Sequence, residues 1–391
     1  MIQGIEKTEN LNKIAVVCVG YNRLKSLNRL LESLIAASYP HDDIPLVISI
    51  DCSGDQELYT FVNSFEWPFG EKYVNIQQER LGLLKHIYQC GDLTKYFKAI
   101  VLLEDDLFVS PYYYSYVENS VEKYANHPQI AQISLYKNER NGYVGLPFEN
   151  EQNGSDVFLM QDVSTWGECW TDSMWKCFVE WRDTHSEDEV LHVDMPVAIK
   201  EWTRAWSKYY NAYVVDTGRF VLYPNVSLTT NFSDAGEHGN GHNSVVQVNL
   251  LQKDYEYRLN EYEDLVKYDI YFNNIALYDW LKLSPEKVCL DCYGFHDVRN
   301  DKQYILSQRQ LSYKVEKSFA LHMRPLELNV KYNIIGSGLY LYDTKLKASK
   351  PNASFSVTTT SYFLREYNPR MLLKYCGHIL KKILLSKMKM S

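Results

Sequence analysis

Along the first third of the chain the apolar residues alternate between two periods. Residues 14–19 (IAVVCV) form a continuous apolar run of strand length, and beyond them Leu24, Leu27, Leu31, Leu34 and Ile35 recur at helical spacing. The unit repeats: 46–50 (LVISI) precedes a helix-like stretch over 55–65, 73–76 precedes 81–97, and 99–103 precedes 112–124. Strand-length runs that are apolar on both faces and separated by helices predict an α/β fold, a mostly parallel central sheet of Rossmann-like type flanked by helices.

Sheets of this kind bind ligands beyond the carboxyl ends of their strands, so the residues that follow each run carry the chemistry. They are Gly20-Tyr21-Asn22-Arg23 after the first run, Asp51-Cys52-Ser53-Gly54 after the second, and Glu104-Asp105-Asp106 after the fourth. Polar and acidic groups therefore converge on one edge. From 130 onward the pattern shortens to strands over 130–135 and 157–160, followed by a tryptophan-rich segment over 165–206. The stretch 223–243, rich in Asn, Gly, Ser and His, reads as a long loop of the kind that serves as an active-site lid. Beyond 250 the periodicity is too weak to specify a fold. The chain of 391 residues exceeds what one core usually organises, and it divides on this pattern into a main domain over 1–250, an acceptor or docking region over 251–368 and a basic tail over 369–391.

Composition narrows the partners. A hydrophobic share of 46% with 23% charged residues excludes a disordered chain, and a net charge of −8 supplies no global field for nucleic-acid phosphates, so no nucleic-acid partner is expected. Eight scattered cysteines, several inside apolar runs, read as reduced thiols that pack as small hydrophobes, which fits a reducing cytosol. Cys289 and Cys292 make a lone C-x-x-C with no second pair at zinc-ribbon spacing. There is no apolar run of about 18 residues, the length a spanning helix needs, and the opening MIQGIEKTENLNK lacks the apolar core of a secretory signal. The expectation is a cytoplasmic protein, peripheral at most at the inner face of the plasma membrane.

Three consecutive carboxylates at the end of a buried strand repel one another, and a divalent cation relieves that cost. A hard cation that keeps waters and bridges diphosphate oxygens suits one or two protein carboxylates, which points to Mg2+ or Mn2+ and to nucleotide-sugar chemistry. The segment VLLEDDLFVSPYYYSYV resembles the metal-binding segment of the GT-A glycosyltransferases, most closely that of glycosyltransferase family 13, the N-acetylglucosaminyltransferase I family. Further pieces follow in that family's order: IAVVCVGYNR resembles its opening strand, VISIDCSG its uracil-reading segment, and RLGLLKH a helix with a histidine beside the nucleotide. STWGECW resembles its glycine-and-tryptophan segment and one common in bacterial polysaccharide glycosyltransferases. EWTR resembles an acidic pair followed by Trp-x-Arg, where this chain has Lys200 and Glu201 in place of two aspartates; the stretch from Tyr223 to His242 resembles a loop that closes over the donor.

The resemblance, which spans roughly residues 12–250, implies a GT-A fold with a C-terminal extension of uncertain fold. It implies donor binding by Arg23, Asp51, His86, Glu104, Asp105, Trp166, Arg204, His238 and His242, a Mn2+ or Mg2+ ion on Asp106, and Glu201 as catalytic base with Asp194 in reserve. A carboxylate between Trp202 and Trp206 is expected to be partly buried and so suited to that task. The activity implied is inverting transfer of a hexose or N-acetylhexosamine from a UDP-sugar to a hydroxyl of a saccharide or lipid-linked saccharide, in bacterial surface polysaccharide synthesis. Two alternatives stand beside it: a non-catalytic carbohydrate-binding or scaffold protein with a degenerate transferase fold, and a sugar nucleotidyltransferase, which would carry a glycine-rich basic loop where this chain has GYNRLKS. Without the resemblance, Asp51 is a turn residue, His86 and Trp166 are core side chains, and Arg23 and Arg204 are surface charges.

The tail carries Arg370, Lys374, Lys381, Lys382, Lys387 and Lys389 without an acidic residue, and Leu372, Leu373, Ile379, Leu380, Ile383 and Leu384 supply an apolar stripe. Such a helix lies in an anionic membrane surface, each basic residue contributing about 1 kcal/mol. Cosedimentation with acidic liposomes should be lost in a variant ending at Asn368; equal binding by both proteins would refute the assignment.

Overall fold

The computed structural model describes residues 10–203, 205–236, 244–297 and 301–350, together with scattered positions between 362 and 381. The chain forms two compact units, one of Met1–Tyr143 with Asn150–Ile275, the other of Val144–Glu149 with Ala276–Ser391.

In the first unit the apolar runs become strands β1 (Ile14–Gly20), β2 (Leu46–Ile50), β3 (Lys72–Ile76), β4 (Ala99–Glu104), β6 (Ile130–Ser134), β7 (Val157–Met160), β8 (Glu168–Thr171), β9 (Phe220–Pro224) and β11 (Lys267–Tyr268). They make one nine-stranded sheet in the order β11-β7-β9-β6-β8-β4-β1-β2-β3. Pairings β4/β1, β1/β2, β2/β3, β9/β6 and β11/β7 are parallel; β8 lies antiparallel between β4 and β6, and β7 antiparallel to β9. The fold is thus the mixed α/β, GT-A-like one with a largely parallel sheet that the sequence predicts.

Helix α1 (Leu24–Ile35) lays Leu27, Leu30, Leu31 and Leu34 on the core, as its spacing requires. Helix α2 (Gln56–Ser64) starts where the Asp55 carboxylate accepts the Leu58 N–H, and α5 (Asp172–Thr184) where the Thr171 hydroxyl accepts that of Met174. Between them lie α3 (Leu83–Gly91) and α4 (Tyr113–Tyr124). The helix expected over 81–97 is shorter than its periodicity suggests. It stops at Gly91, where a Cβ would lie 2.2 Å from the Trp175 ring, and continues as the 3₁₀ turn Asp92–Lys95. Later helices are α6 (Glu187–His192), α7 (Val197–Lys200) and α8 (Trp206–Asp216).

A second, two-stranded ladder pairs β5 (Leu107–Val109) with β10 (Thr229–Asn231). The stretch read as a single long loop over 223–243 thus contains the end of one strand and the whole of another, while 237–243 lies outside the described residues. The second unit holds a four-stranded sheet of β12 (Val288–Asp291), β13 (Tyr304–Ser307), β15 (Leu339–Lys347) and β14 (Tyr313–Phe319), in that spatial order. All eight cysteines are free, and Cys18, Cys90, Cys169, Cys289 and Cys292 are buried. Among the described residues no helix is long and apolar enough to cross a membrane.

Gly167, at the turn into β8, has φ +102°, and a Cβ there would meet Thr229 Cγ2 at 2.9 Å and Leu135 Cβ at 3.1 Å. Gly167→Ala should therefore lower the denaturant midpoint by an amount worth about 1–3 kcal/mol. Gly142→Ala, at a position with no neighbour within 4 Å of its Cβ, is the near-neutral control.

Candidate functional site

Strands β1, β2 and β4 run parallel, so the residues that follow them open onto the same edge of the sheet, and there a cavity of about 480 Å³ forms. It brings together Arg23, Asp51, His86, Glu104, Asp105, Asp106 and Trp166 from the sequence-derived set, and adds Tyr21, Arg80, Asn231 and Asp234.

Arg23 stands just before the first turn of α1 and turns its guanidinium into the acidic cluster. Nε donates to Asp105 Oδ2 at 3.2 Å, Nη2 pairs with the other oxygen of Asp105, and Nη1 reaches Asp106 Oδ2 at 3.3 Å and the Asp234 carbonyl at 3.4 Å. Gly236 packs close by: a Cβ there would lie 3.1 Å from Arg23 Nη1, so any side chain would need the guanidinium to give way by a few tenths of an ångström. The second Asp106 oxygen accepts from Asn231 Nδ2 at 3.2 Å, a contact set by the β5/β10 ladder, which places Asn231 opposite Leu107. Asp234 is clamped in turn by Arg29 and by the Ser26 hydroxyl, both on α1.

Electrostatics follow from this burial. Burial pushes Glu104 up to about 8, with the charges of Asp106 and Asp105 adding to it and Arg23 opposing. Asp105 is pushed up to about 6, because burial outweighs the bidentate guanidinium. Asp106 moves the same way for the same reason, and Arg23, despite burial, is held firmly charged by its two partners.

Asp51 is buried and accepts the main-chain N–H groups of Cys52, Leu81 and Gly82, so it holds the approach to α3 against the end of β2 while lining the cavity. His86 on α3 is buried with Nε2 2.8 Å from the Ser49 hydroxyl; burial lowers it to about 4, against the pull of Asp51, and so keeps the ring neutral. Arg80 places its guanidinium 4.6 Å from the Tyr21 ring centroid at the cavity wall. Trp170 belongs to the core, packed on Trp175 and Trp206, whereas Trp166 is half-buried and faces the cavity.

The structure does not bring the two expected base residues into this cavity. Glu201 follows the four-residue α7 and is exposed, so the burial between Trp202 and Trp206 is not realised; Trp206 goes into the core instead. Asp194 is half-buried and accepts from the Tyr271 hydroxyl at 3.0 Å, away from the cavity wall. Arg204, His238 and His242 lie outside the described residues, as does most of the tail. Asn231 and Asp234 were hidden from the sequence because they lie more than a hundred residues from the cluster they complete, and the strand 229–231, Thr-Thr-Asn, carries no apolar pattern to announce it.

For a divalent cation, the described residues offer no group of three or more His, Cys, Asp or Glu side chains able to hold it. What they offer at the cavity wall is the single carboxylate of Asp106, whose oxygens accept from Arg23 and Asn231. That set fits a cation which takes most of its ligands from a diphosphate and water.

No family model matches the chain, and no curated protein matches it. Solved structures similar to it include S. aureus TarS 1–349 in complex with UDP-GlcNAc, at 13% identity and TM-score 0.38 over 58% of this chain and 60% of that one. GalNAc-T7 with UDP, GalNAc and Mn2+ is similar at 14% identity and TM-score 0.39 over 56% and 43%, and a mannosyltransferase from Pyrobaculum calidifontis with GDP-Man and Mn2+ at 13% and 0.32 over 46% and 50%. The chain thus spans three fifths or less of the length of these chains.

Behind Glu104 lies Glu168, fully buried, its carboxyl without a full hydrogen bond among the described residues. Burial, and then the charge of Glu104, push it well above its ordinary 4.5. A carboxyl raised in the folded state stabilises fully below its unfolded value and loses that contribution as pH rises through the folded one. Thermal unfolding of the wild type should therefore move to lower temperature as pH rises above about 4.5. Glu168→Gln should flatten that slope; an unchanged slope would show that Glu168 titrates normally.

Proposed function

We propose that the protein is a metal-dependent glycosyltransferase that binds a UDP-sugar in the cavity at the ends of β1, β2 and β4 and transfers the sugar to a hydroxyl of a saccharide acceptor. The observation that supports this is the convergence of an acidic strand end, a guanidinium and a half-buried tryptophan in one recess. Asp51 and the amides it gathers form the floor for a uracil. Neutral His86 offers an uncharged contact beside it. Arg23 and Arg80 carry the positive charge that a diphosphate needs, and Trp166 offers an apolar face to the sugar.

Asp106 is the residue that would hold Mn2+ or Mg2+ together with the diphosphate, and the ion when bound neutralises charge on the departing UDP. Arg23 already spans Asp105 and Asp106, so it is the protein's own counterion for the cluster and must share Asp106 with any cation. A degenerate fold that binds saccharide without catalysis is the competing reading, and the same Arg23 contact favours it if no cation ever displaces the pair.

Titration calorimetry of UDP, with manganese and with chelator, decides between them. Wild type should bind UDP far more tightly with manganese, and Asp106→Asn should lose that gain while unfolding at nearly the same temperature. Equal, metal-independent UDP binding by both proteins would overturn the reading.

A further inference from the structure

A second cavity of about 400 Å³ adjoins the first, and Trp166 and Val246 line both. Its walls carry half-buried aromatic rings, Tyr143 and Trp202 beside Trp166, and one carboxylate, Asp162. Aromatic faces with a few fixed polar groups are what a saccharide ring meets in a binding site, where C–H bonds cover the apolar surface and hydroxyls find the polar atoms.

Asp162 is held from several sides. Its Oδ1 accepts from the Tyr143 hydroxyl at 2.5 Å and its Oδ2 from Asn138 Nδ2 at 3.1 Å. Its carbonyl and the Ser164 N–H meet the Tyr223 hydroxyl on β9, and Val163 N–H donates to Asn211 on α8. Gln132 on β6 donates to the Ser164 carbonyl. The segment is pinned by three elements, so the carboxylate points into the cavity from a fixed main chain.

Resting on the glycosyltransferase reading above, we infer that this second cavity is the acceptor subsite, that it takes a saccharide against Trp166, Trp202 and Tyr143, and that Asp162 takes the proton from the attacking hydroxyl. The acceptor oxygen forms a bond to the anomeric carbon of the UDP-sugar, the bond from that carbon to the diphosphate oxygen breaks, and its electron pair leaves with UDP. The hydroxyl proton goes to an Asp162 oxygen and from there to solvent. Burial pushes Asp162 up to about 7, with the Tyr143 and Asn138 hydrogen bonds opposing, which is the range that suits a base working near neutrality. The ionisable groups that face it are Tyr143 and Tyr223, with Arg140 on the same cavity wall. Neither Glu201 nor Asp194 lines this cavity.

The test uses the full chain with manganese, a panel of UDP-glucose, UDP-galactose, UDP-GlcNAc and UDP-GalNAc, and the methyl glycosides of glucose, galactose, mannose and N-acetylglucosamine as acceptor probes. Calorimetric titration of the probes into UDP-saturated protein should show binding of at least one, weakened about tenfold in Trp202→Ala. UDP release should fall by about 10²-fold or more in Asp162→Asn with UDP affinity unchanged, whereas Glu201→Gln should retain turnover. Tyr143→Phe removes a donor that lowers the Asp162 pKa, so the acidic limb of its pH–rate profile should move to higher pH. That shift keeps the test sound even if Asp162→Asn fails to fold.

If the wild type does not bind UDP, the glycosyltransferase reading itself fails. If it binds UDP but no probe glycoside binds, or Asp162→Asn turns over like wild type, or the Tyr143→Phe profile stays in place, this inference fails and the donor-site reading stands.

Discussion

The guanidinium of Arg23 spread over Asp105 and Asp106 is the contact on which the rest of the site depends. A strand buried on both faces ends in three carboxyls, and removing such groups from water is expensive unless a matching charge comes with them. Arg23 brings that charge from the neighbouring parallel strand, three residues past the close of β1, with the planar geometry that lets one side chain serve two carboxylates. Removing Arg23 would strand both carboxylates, at a cost of about 3–5 kcal/mol, whereas replacing Asp106 alone leaves Arg23 its bidentate partner Asp105. The loop over 231–236 then closes on the pair: Asp234 offers its carbonyl to Arg23 and its carboxylate to Arg29, and the bare backbone of Gly236 lets it come near.

Carboxyl groups on this edge are sorted by surroundings, not by type. Asp51 gathers three main-chain N–H groups. Asp105 has a guanidinium; Glu104 has like-charged neighbours that the charge of Arg23 only partly offsets; Glu168 has almost nothing; Asp162 has two neutral donors. Such a spread lets one fold hold some acids charged and others protonated at the same pH, which is what different chemical tasks require.

What was legible in the sequence was whatever a local pattern carries. Continuous apolar runs such as IAVVCV and AIVLL named the buried parallel strands, and the residues just after them named the charged heart of the cavity wall, Arg23, Asp51 and Glu104 to Asp106. Partners supplied from far along the chain were not legible, since no periodicity in TTNFSDAG reports that Asn231 lies opposite Leu107. Glu201 shows the limit of reading a motif without its backbone: the short helix before it presents that position to solvent, while Trp206 a few residues on turns inward. In the sheet of the second unit β14, YKVEKSF, is largely solvent-facing, and the buried β12 and β13 are only four residues each, so the local apolar pattern there is short.

Asp105 and Asp106 occupy the two positions at which the chain leaves one hydrogen-bonded ladder, ending at Glu104, and enters another, beginning at Leu107. A segment stitched at both ends has no slack. Its side chains can rotate but its backbone cannot drift, and adding or deleting one residue there would invert the facing of a strand that is already paired. Surface connections of this edge can lengthen, but the count of residues between the two ladders is fixed by the geometry of the sheets themselves.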